Sequence, residues 1–346
     1  MHGPSPRRPP MRAGSLRDGM TSRRDRMNHV VLTGDRPTGP LHLGHYFGSL
    51  ANRVRLQDTY EMYVLIADYQ VITDRDLPGS IQRNITELLL DYLAVGIDPA
   101  KVIVFQHSAI PELNQLLLPF LSLVSVAELS RNPTVKDEIA HSSQQAVSGL
   151  MYTYPVHQAA DILFCKGTLV PVGRDQLPHV EVTRLVARRF NERYGEVFPL
   201  PEAMMGEQPL LKGLDGGKMS KSRGNAIALS ATEDETAALI RKARTDSERL
   251  ITFDETNRPE VANLLTLAGL CLGRAPRDIA DEIGYGGAAA LKRLVTEAVN
   301  EFLRPIRKRR AEHTEGDVRR ILAEGNERAR ERAVITLGEV RDAMGF

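Results

Sequence analysis

The chain has no tryptophan, although nine tyrosines and nine phenylalanines are spread over its 346 residues. It has only two cysteines, Cys165 and Cys271. These cannot form a disulfide framework or a four-cysteine zinc site, so a reduced, cytoplasmic setting is expected. No apolar run reaches the roughly 18 residues that a membrane helix needs, so no membrane partner is expected. Excess charge of one sign is also missing, since 45 Lys and Arg stand against 44 Asp and Glu for a net +1. That argues against a chain that coats nucleic acid non-specifically. The remaining composition, 42% hydrophobic and 26% charged, is that of an ordinary globular protein. The length suits about two domains.

Residues 1–27 stand apart, with seven arginines against two aspartates, four prolines and almost no large apolar side chains. Such a segment cannot bury enough surface to offset its ordering entropy, so a disordered basic tail is expected. Three readings stay open: an inert stretch before a true start at Met20 or Met27, a contact for RNA or an additional partner, or a targeting segment. Pro4, Pro6, Pro9 and Pro10 interrupt the amphipathic helix that targeting needs.

From Asn28 the pattern becomes α/β. The apolar runs 29–33, 62–67 and 101–105 read as buried strands, and 170–172 as the end of another. Between them, 81–95 has helical spacing, with Ile85, Leu88, Leu89 and Tyr92 on one face. Strands alternating with helices predict a Rossmann-like, doubly wound parallel sheet over residues 28–214. After Lys218 the strand signals fade. Helices are predicted over 233–243, 261–272, 288–310 and 317–344, with the Gly-rich stretch 284–287 breaking them. A mostly helical second domain is expected over 215–317, with 318–346 packing back on the first.

Two stretches carry chemistry. The first strand runs into Thr33-Gly-Asp-Arg-Pro-Thr-Gly-Pro-Leu41, and a helix opens near His42. A strand, a Gly/Pro-rich loop and a helix N-terminus favour a phosphate, through free backbone N–H groups and the helix dipole. His42 and His45 lie three apart on one helix face, placed to donate to a charged transition state. This is not a P-loop. Two surface histidines on an ordinary loop remain the plain alternative, and a metal pair lacks a third ligand. The second stretch is Gly216-Gly-Lys-Met-Ser-Lys-Ser-Arg-Gly-Asn225. Its lysines, hydroxyls and flanking glycines suit a moving anion. Standing alone, it would read as a solvated basic loop.

Together the two are specific. His42-Leu-Gly-His45 resembles the HIGH motif, and Lys218-Met-Ser-Lys-Ser222 is a literal KMSKS motif. Their order resembles the class I aminoacyl-tRNA synthetases. The intervening blocks 151–163 and 169–185 resemble those of bacterial-type tryptophanyl-tRNA synthetases, with similarity from about Asn28 to Met344. The resemblance implies a tryptophan–tRNA ligase. It would use ATP and Mg²⁺ to make tryptophanyl-adenylate and pyrophosphate, then transfer the tryptophanyl group to tRNA(Trp).

By resemblance, Asp161 accepts the indole N–H. Its apolar neighbours Ala159, Ala160, Ile162 and Leu163 make an unpaired carboxylate costly, and an indole donor would relieve that cost. A core aspartate bound to backbone or arginine is the alternative. Tyr154 and Gln176 match positions that hold the α-amino group, and Val170 and Val172 lie on the pocket strand. Asp175 matches a position near the ammonium and the ATP ribose. Gly34 and Gly44 would allow close approach of the nucleotide, and Lys218, Met219, Ser220, Lys221 and Ser222 would cover its phosphates. Arg36 and Lys136 match cations near phosphate or pyrophosphate, with solvated surface charge as the alternative for each. No dedicated metal site is expected, because Mg²⁺ is held by ATP and water.

Three positions depart from the family pattern. Gln70 stands where histidine is frequent, Gln158 where methionine is frequent, and Arg36 where glutamine is frequent. They bear on substrate range more than on the reaction. By resemblance the helical half reads the anticodon and the enzyme is a homodimer. The basic stretch Arg304, Arg307, Lys308, Arg309, Arg310 is either an RNA contact or a solvated helix face. Two alternatives stay open: a nucleotidyl transferase without tRNA, and an auxiliary synthetase paralogue with a regulatory or partner-binding role.

Overall fold

The computed structural model describes residues 29–73, 80–141, 148–206, 211–220 and 223–346. The basic tail, Lys221 and Ser222 lie outside the described residues. Five strands, β1 (Val30–Asp35), β2 (Glu61–Ile66), β3 (Val102–Gln106), β4 (Leu169–Val172) and β5 (Glu202–Met205), form one parallel sheet in the order β3-β2-β1-β4-β5. The chain leaves β1 outward to β2 and β3, then returns to the other side of β1. The crevice at the carboxyl ends of β1 and β4 is therefore the switch point, where open α/β sheets bind ligands.

The order of helices is α1 (Leu43–His45), a π turn (Tyr46–Leu50), α2 (Ala51–Leu56), α3 (Ile81–Val95), α4 (Pro111–Leu121), α5 (Val126–Arg131) and α6 (Pro133–His141). Then come α7 (Gly149–Leu163), α8 (Leu177–Tyr194), α9 (Glu233–Lys242), α10 (Pro259–Leu272), α11 (Pro276–Ile283), α12 (Gly287–Ala311) and α13 (Glu315–Met344). Helix α3 occupies the range that its apolar spacing predicts. Its end is set by Gly96 at φ 105°, a left-handed conformation that favours glycine. Thr232 caps α9 and Thr314 caps α13, each in a reciprocal pair with the acid three residues on.

Alternation along the strands splits the core into two layers. Met62, Val64 and Ile66 of β2 join a cluster that runs from the sheet through α3 into α9–α12. Tyr63 and Leu65, with Ala67 just beyond the strand, join a second cluster with α4, α7 and α8. Ala329, Ala333, Leu337 and Val340 of α13 also lie in this second layer. The helix approaches β3 so closely that a Cβ on Gly325 would sit 1.8 Å from the Val104 carbonyl oxygen. The Thr336 hydroxyl donates to the Phe164 carbonyl at 2.6 Å. The strand β5 was not foreseen in the sequence. It is four residues long, at the sheet edge, and half-exposed, so it lacks the apolar run that marks a buried strand.

Candidate active site

Strand register brings several ends level. Asp35 pairs with Ile66, and Ile66 with Gln106, so the residues after β1, β2 and β3 emerge along one edge. Gly34 is required by the sheet itself: a Cβ there would meet the Leu65 carbonyl oxygen at 2.3 Å. Next in the chain, Asp35 lies in a buried network. Arg53 donates to its carboxylate at 2.5 Å and to the Gly34 carbonyl at 3.1 Å, and the Tyr92 hydroxyl donates to the same carboxylate at 2.7 Å. Burial alone would raise the carboxyl pKa of Asp35, but the Arg53 guanidinium and these hydrogen bonds hold it below its usual value. This network anchors the base of the loop that presents Arg36, whose side chain is exposed.

Helix α1 starts at His42. The His42 backbone N–H donates to Nδ1 of His45 at 3.1 Å. That nitrogen must offer a lone pair, which in the neutral ring leaves the proton on Nε2, ready to donate. The two rings lie 3.7 Å apart between centroids. A π turn follows at once, a local departure from regular helix that often marks functional sites.

The lysine motif is packed against this helix. A Cβ on Gly44 would meet the Met219 sulfur at 2.9 Å and the His42 ring at 3.0 Å. Thus Gly44 admits Met219, and the two motifs touch across more than 170 residues of chain. Asn225, 3% exposed, organises the loop. Its Oδ1 accepts from the Ser220 N–H at 2.7 Å, while Nδ2 donates to Asp215 at 2.7 Å and to the Lys218 carbonyl at 3.0 Å. No local pattern marks Asn225 for this organising role. Segment 227–229 then pairs with the start of α1: Leu43 N–H donates to the Ile227 carbonyl at 3.0 Å, and Leu229 N–H to the Leu41 carbonyl at 2.9 Å.

The other side of the crevice is built from α7, α8 and the strand ends. Tyr154, Gln158 and Asp161 share one face of α7. The Tyr154 hydroxyl lies 2.8 Å from His179 Nε2, and His179 Nδ1 lies 2.9 Å from the Gln176 Oε1. With the amide oxygen as acceptor, Nδ1 carries the proton, Nε2 accepts, and the Tyr154 hydroxyl donates. Burial pushes the His179 pKa down to about 4, against the pull of Asp175. The imidazole therefore stays neutral at pH 7 and can serve as that acceptor. Gln176 Nε2 also donates to Asp175 at 2.9 Å, and Thr134 of α6 donates to the Asp175 carbonyl at 2.8 Å. Lys136 stands exposed on the same helix α6.

Asp161 is fully buried. His107 Nε2 lies 2.9 Å from its Oδ1, a charge contact without hydrogen-bond alignment, and Oδ2 has no hydrogen-bond partner among the described residues. The His107 and His157 rings stack at 4.1 Å and 17°. Burial works against protonating His107, but Asp161, then Asp68, outweigh it and raise its pKa above the usual imidazole value. For His157 burial prevails and the pKa falls. Among the described residues, His107, His157 and Asp161 form the one cluster whose ligand atoms lie close enough for a metal ion. Their Nε2 atoms lie 3.1 Å apart, and His157 Nε2 also lies 3.1 Å from the Asn114 amide oxygen. Gln70 is half-buried after β2, beside Tyr69, whose ring lies 5.5 Å from that of His107. Val170 is buried on β4 and Val172 is half-buried.

The fold thus brings together His42, His45, Gly44 and Met219 on one side, and Tyr154, Gln176 and Asp175 on the other. It adds His107, His157, His179 and Asn225, none of which carries a recognisable local pattern. The basic stretch of α12 is mostly engaged within the chain. Arg304 pairs with Glu233 and Glu301, Arg307 donates to the Ala231 carbonyl, Arg309 to the Ala94 carbonyl, and Arg310 pairs with Asp91 and Glu87. Neither sequence reading of these arginines, RNA contact or solvated face, describes Arg307 and Arg310, which brace other parts of the chain.

Comparison with known proteins agrees with this geometry. The family model for class I tRNA synthetases (W and Y) matches residues 24–304. The tryptophan–tRNA ligase of Clostridium longisporum is 42% identical over 330 residues, covering 92% of this chain and 97% of the relative. That of Streptococcus pyogenes is 42% identical over 337 residues, covering 92% and 98%. Among solved structures, the tryptophanyl-tRNA synthetase of Campylobacter jejuni, complexed with ADP and tryptophan, superposes with a TM-score of 0.81 at 30% identity, covering 92% of this chain and all of that one.

Proposed function

Because this chain belongs to the tryptophan–tRNA ligases of the class I tRNA synthetases, we propose that the crevice at the carboxyl end of its sheet is where it activates tryptophan. The enzyme joins tryptophan to AMP from ATP, releasing pyrophosphate, and passes the tryptophanyl group to tRNA(Trp). The tryptophan carboxylate attacks the α-phosphorus, and the bond to the β-phosphate bridging oxygen breaks. The protein supplies no covalent nucleophile. Its contribution is positioning and charge stabilisation.

In this reading His45, with Nε2 protonated, and His42 donate to the α-phosphate region. Lys218 and Lys221 hold the departing pyrophosphate, with Ser220, Ser222, Arg36 and Lys136 around it. Met219 seats the lysine loop on Gly44. Mg²⁺ bound by the phosphates and water would add charge neutralisation. Tyr154, Gln176 and Asp175 receive the ammonium: the Tyr154 proton is committed to His179, so the phenol oxygen can act only as an acceptor toward a ligand.

The observation that carries tryptophan as substrate is Asp161. A fully buried carboxylate with one oxygen lacking a partner is costly unless a ligand donor completes it. The indole N–H is a single donor of the required kind. We assign tRNA reading to the helices between 215 and 317 and a cytoplasmic setting to the enzyme. No helix among the described residues is long and apolar enough to cross a membrane. A homodimer is part of the same reading. Leu118 on α4 and Val126 on α5, 73% and 74% exposed, are surface that a second copy would cover.

The test is tryptophan-dependent exchange of pyrophosphate into ATP, followed by transfer to tRNA(Trp). Both should be observed. Absence of exchange would overturn the reading, and exchange without transfer would favour the auxiliary paralogue.

A further inference from the structure

Leu41 immediately precedes His42, and both polar groups of its backbone are held. Its N–H donates to Asp91 Oδ2 of α3 at 2.7 Å, and its carbonyl accepts from Leu229 N–H at 2.9 Å. The first partner, and the turn that carries the second, are each braced by an arginine of α12. Arg310 Nε donates to the other oxygen of Asp91 at 2.9 Å, and its Nη2 to Glu87 at 2.5 Å. Arg307 Nε donates to the Ala231 carbonyl at 2.6 Å, and its Nη2 to Thr236 and Asn300 at 2.9 Å each. Ala231 closes the short turn that carries Leu229, through its N–H to the Ala228 carbonyl at 3.1 Å.

Arg307 and Arg310 are three apart and lie on neighbouring positions of one helix face. Their chains of contact run to opposite sides of a single residue. Asp91 is fully buried, and burial raises its carboxyl pKa against the pull of Leu41 N–H and Arg310. Loss of Arg310 would leave that acid without its cation and weaken it as an acceptor for Leu41. Loss of Arg307 would release the turn that holds the Leu41 carbonyl. In either case the residue that fixes the start of α1, and with it His42 and His45, loses one of two supports.

We propose that Arg307 and Arg310 form a two-point clamp on Leu41, making them positioning residues through which the helical half sets the His42–His45 donors for adenylate formation. The clamp rests on the nucleotide role assigned above to those histidines. Its signature differs from that of ordinary glue between layers. A clamp on one residue fails as a unit, so the second loss adds little, whereas independent braces multiply. It also acts on the reacting end of the crevice and not on Asp161, so tryptophan binding should be spared.

The experiment uses the full chain with Arg307→Met, Arg310→Met, the double variant and Arg310→Lys. Single-turnover adenylate formation is measured beside tryptophan affinity, the latter from ligand fluorescence, since the chain has no tryptophan of its own. Misplaced catalytic groups cost up to about a hundredfold, so each single variant should lose about tenfold or more in rate. Tryptophan affinity should change less than about twofold, the double variant should be within about threefold of the weaker single, and Arg310→Lys should recover part of the rate. Multiplying losses, unchanged rates, or equal losses of rate and affinity would each overturn the clamp. If a methionine variant does not fold, Arg307→Gln and Arg310→Gln with their double provide the same cycle. An inactive wild-type chain would instead overturn the activity reading.

Discussion

The two sides of the crevice are built by different means. The side proposed for the nucleotide is mostly backbone and loop: glycines that permit contact, a helix start, and an asparagine that ties the lysine loop together. The side proposed for the amino acid is a set of buried side chains held by one another: Tyr154 by His179, and Asp161 by its charge contact with His107. In the proposed reading, the backbone side handles a large, mobile anion that must leave as pyrophosphate, and the side-chain side handles a small substrate that must be told apart from its analogues. Changes on the first side should therefore affect rate, and changes on the second affinity.

The sharpest test is the pair Asp161→Ala and Lys218→Ala. Removing the buried acceptor should weaken tryptophan binding by about a hundredfold or more, as loss of a matched buried hydrogen bond does. Losing the Lys218 charge should slow adenylate formation by about a hundredfold, typical of one electrostatic group at a transition state. Tryptophan affinity, read by ligand fluorescence, should then be almost unchanged. If both variants lowered rate and affinity alike, the division between the two sides would be lost.

Acid should act on the amino-acid side first. The folded His179 pKa of about 4 lies below the ordinary 6.5. Between these values the unfolded chain binds more protons than the folded one, so stability falls as pH drops from 6.5 toward 4. The contribution lost is on the order of 3 kcal/mol. Tryptophan affinity of the folded enzyme should hold through this window and fall only as pH approaches 4, where His179 takes up a proton and can no longer accept from Tyr154. Thermal melts from pH 7 to 4.5 check the sign: His179→Asn should flatten the slope, and an unchanged slope would remove the assignment.

Sequence alone made the two sides unequally visible. The cradle was legible because its parts are contiguous motifs, and the buried parallel strands because they are continuous apolar runs. The His107 and His179 contacts were not, because each comes from a different segment and only folding brings His107 to His157 and Asp161, and His179 to Tyr154. Arg307 and Arg310 were misleading for the opposite reason. A run of cations reads as an interface, yet their partners, Asp91, Glu87 and the Ala231 carbonyl, lie 76 to 223 residues away. Gln70 and Gln158 were recognised as departures, but the histidine pair that adds to the polarity of the same pocket was not.

Two glycines give a smaller contrast. Gly34→Ala drives a methyl into strand backbone, and overpacking of this kind costs about 1–3 kcal/mol. It should lower Tm while leaving the rate of the folded fraction nearly intact. Gly44→Ala instead meets two side chains, the end of the flexible Met219 at 2.9 Å and the His42 ring at 3.0 Å, and Met219 can move. The expected result is a change in Tm too small to matter and a rate lower by roughly tenfold, because a moved Met219 unseats the lysine loop. The reverse pattern would place Gly44 in the scaffold and not in the cradle.

The smallest expected effect concerns which indoles are accepted. Gln158 lies on the face of α7 between Tyr154 and Asp161, with the polar His107–His157 pair behind Asp161. An amide there can solvate a polar ring substituent that a thioether cannot. Replacing one polar contact with an apolar one is worth about 1 kcal/mol. Gln158→Met should accordingly lower kcat/KM for hydroxy- or amino-tryptophan by a few fold relative to tryptophan itself. Equal discrimination before and after the change would mean that Gln158 does not face the ring, and that polarity in this pocket serves Asp161 alone.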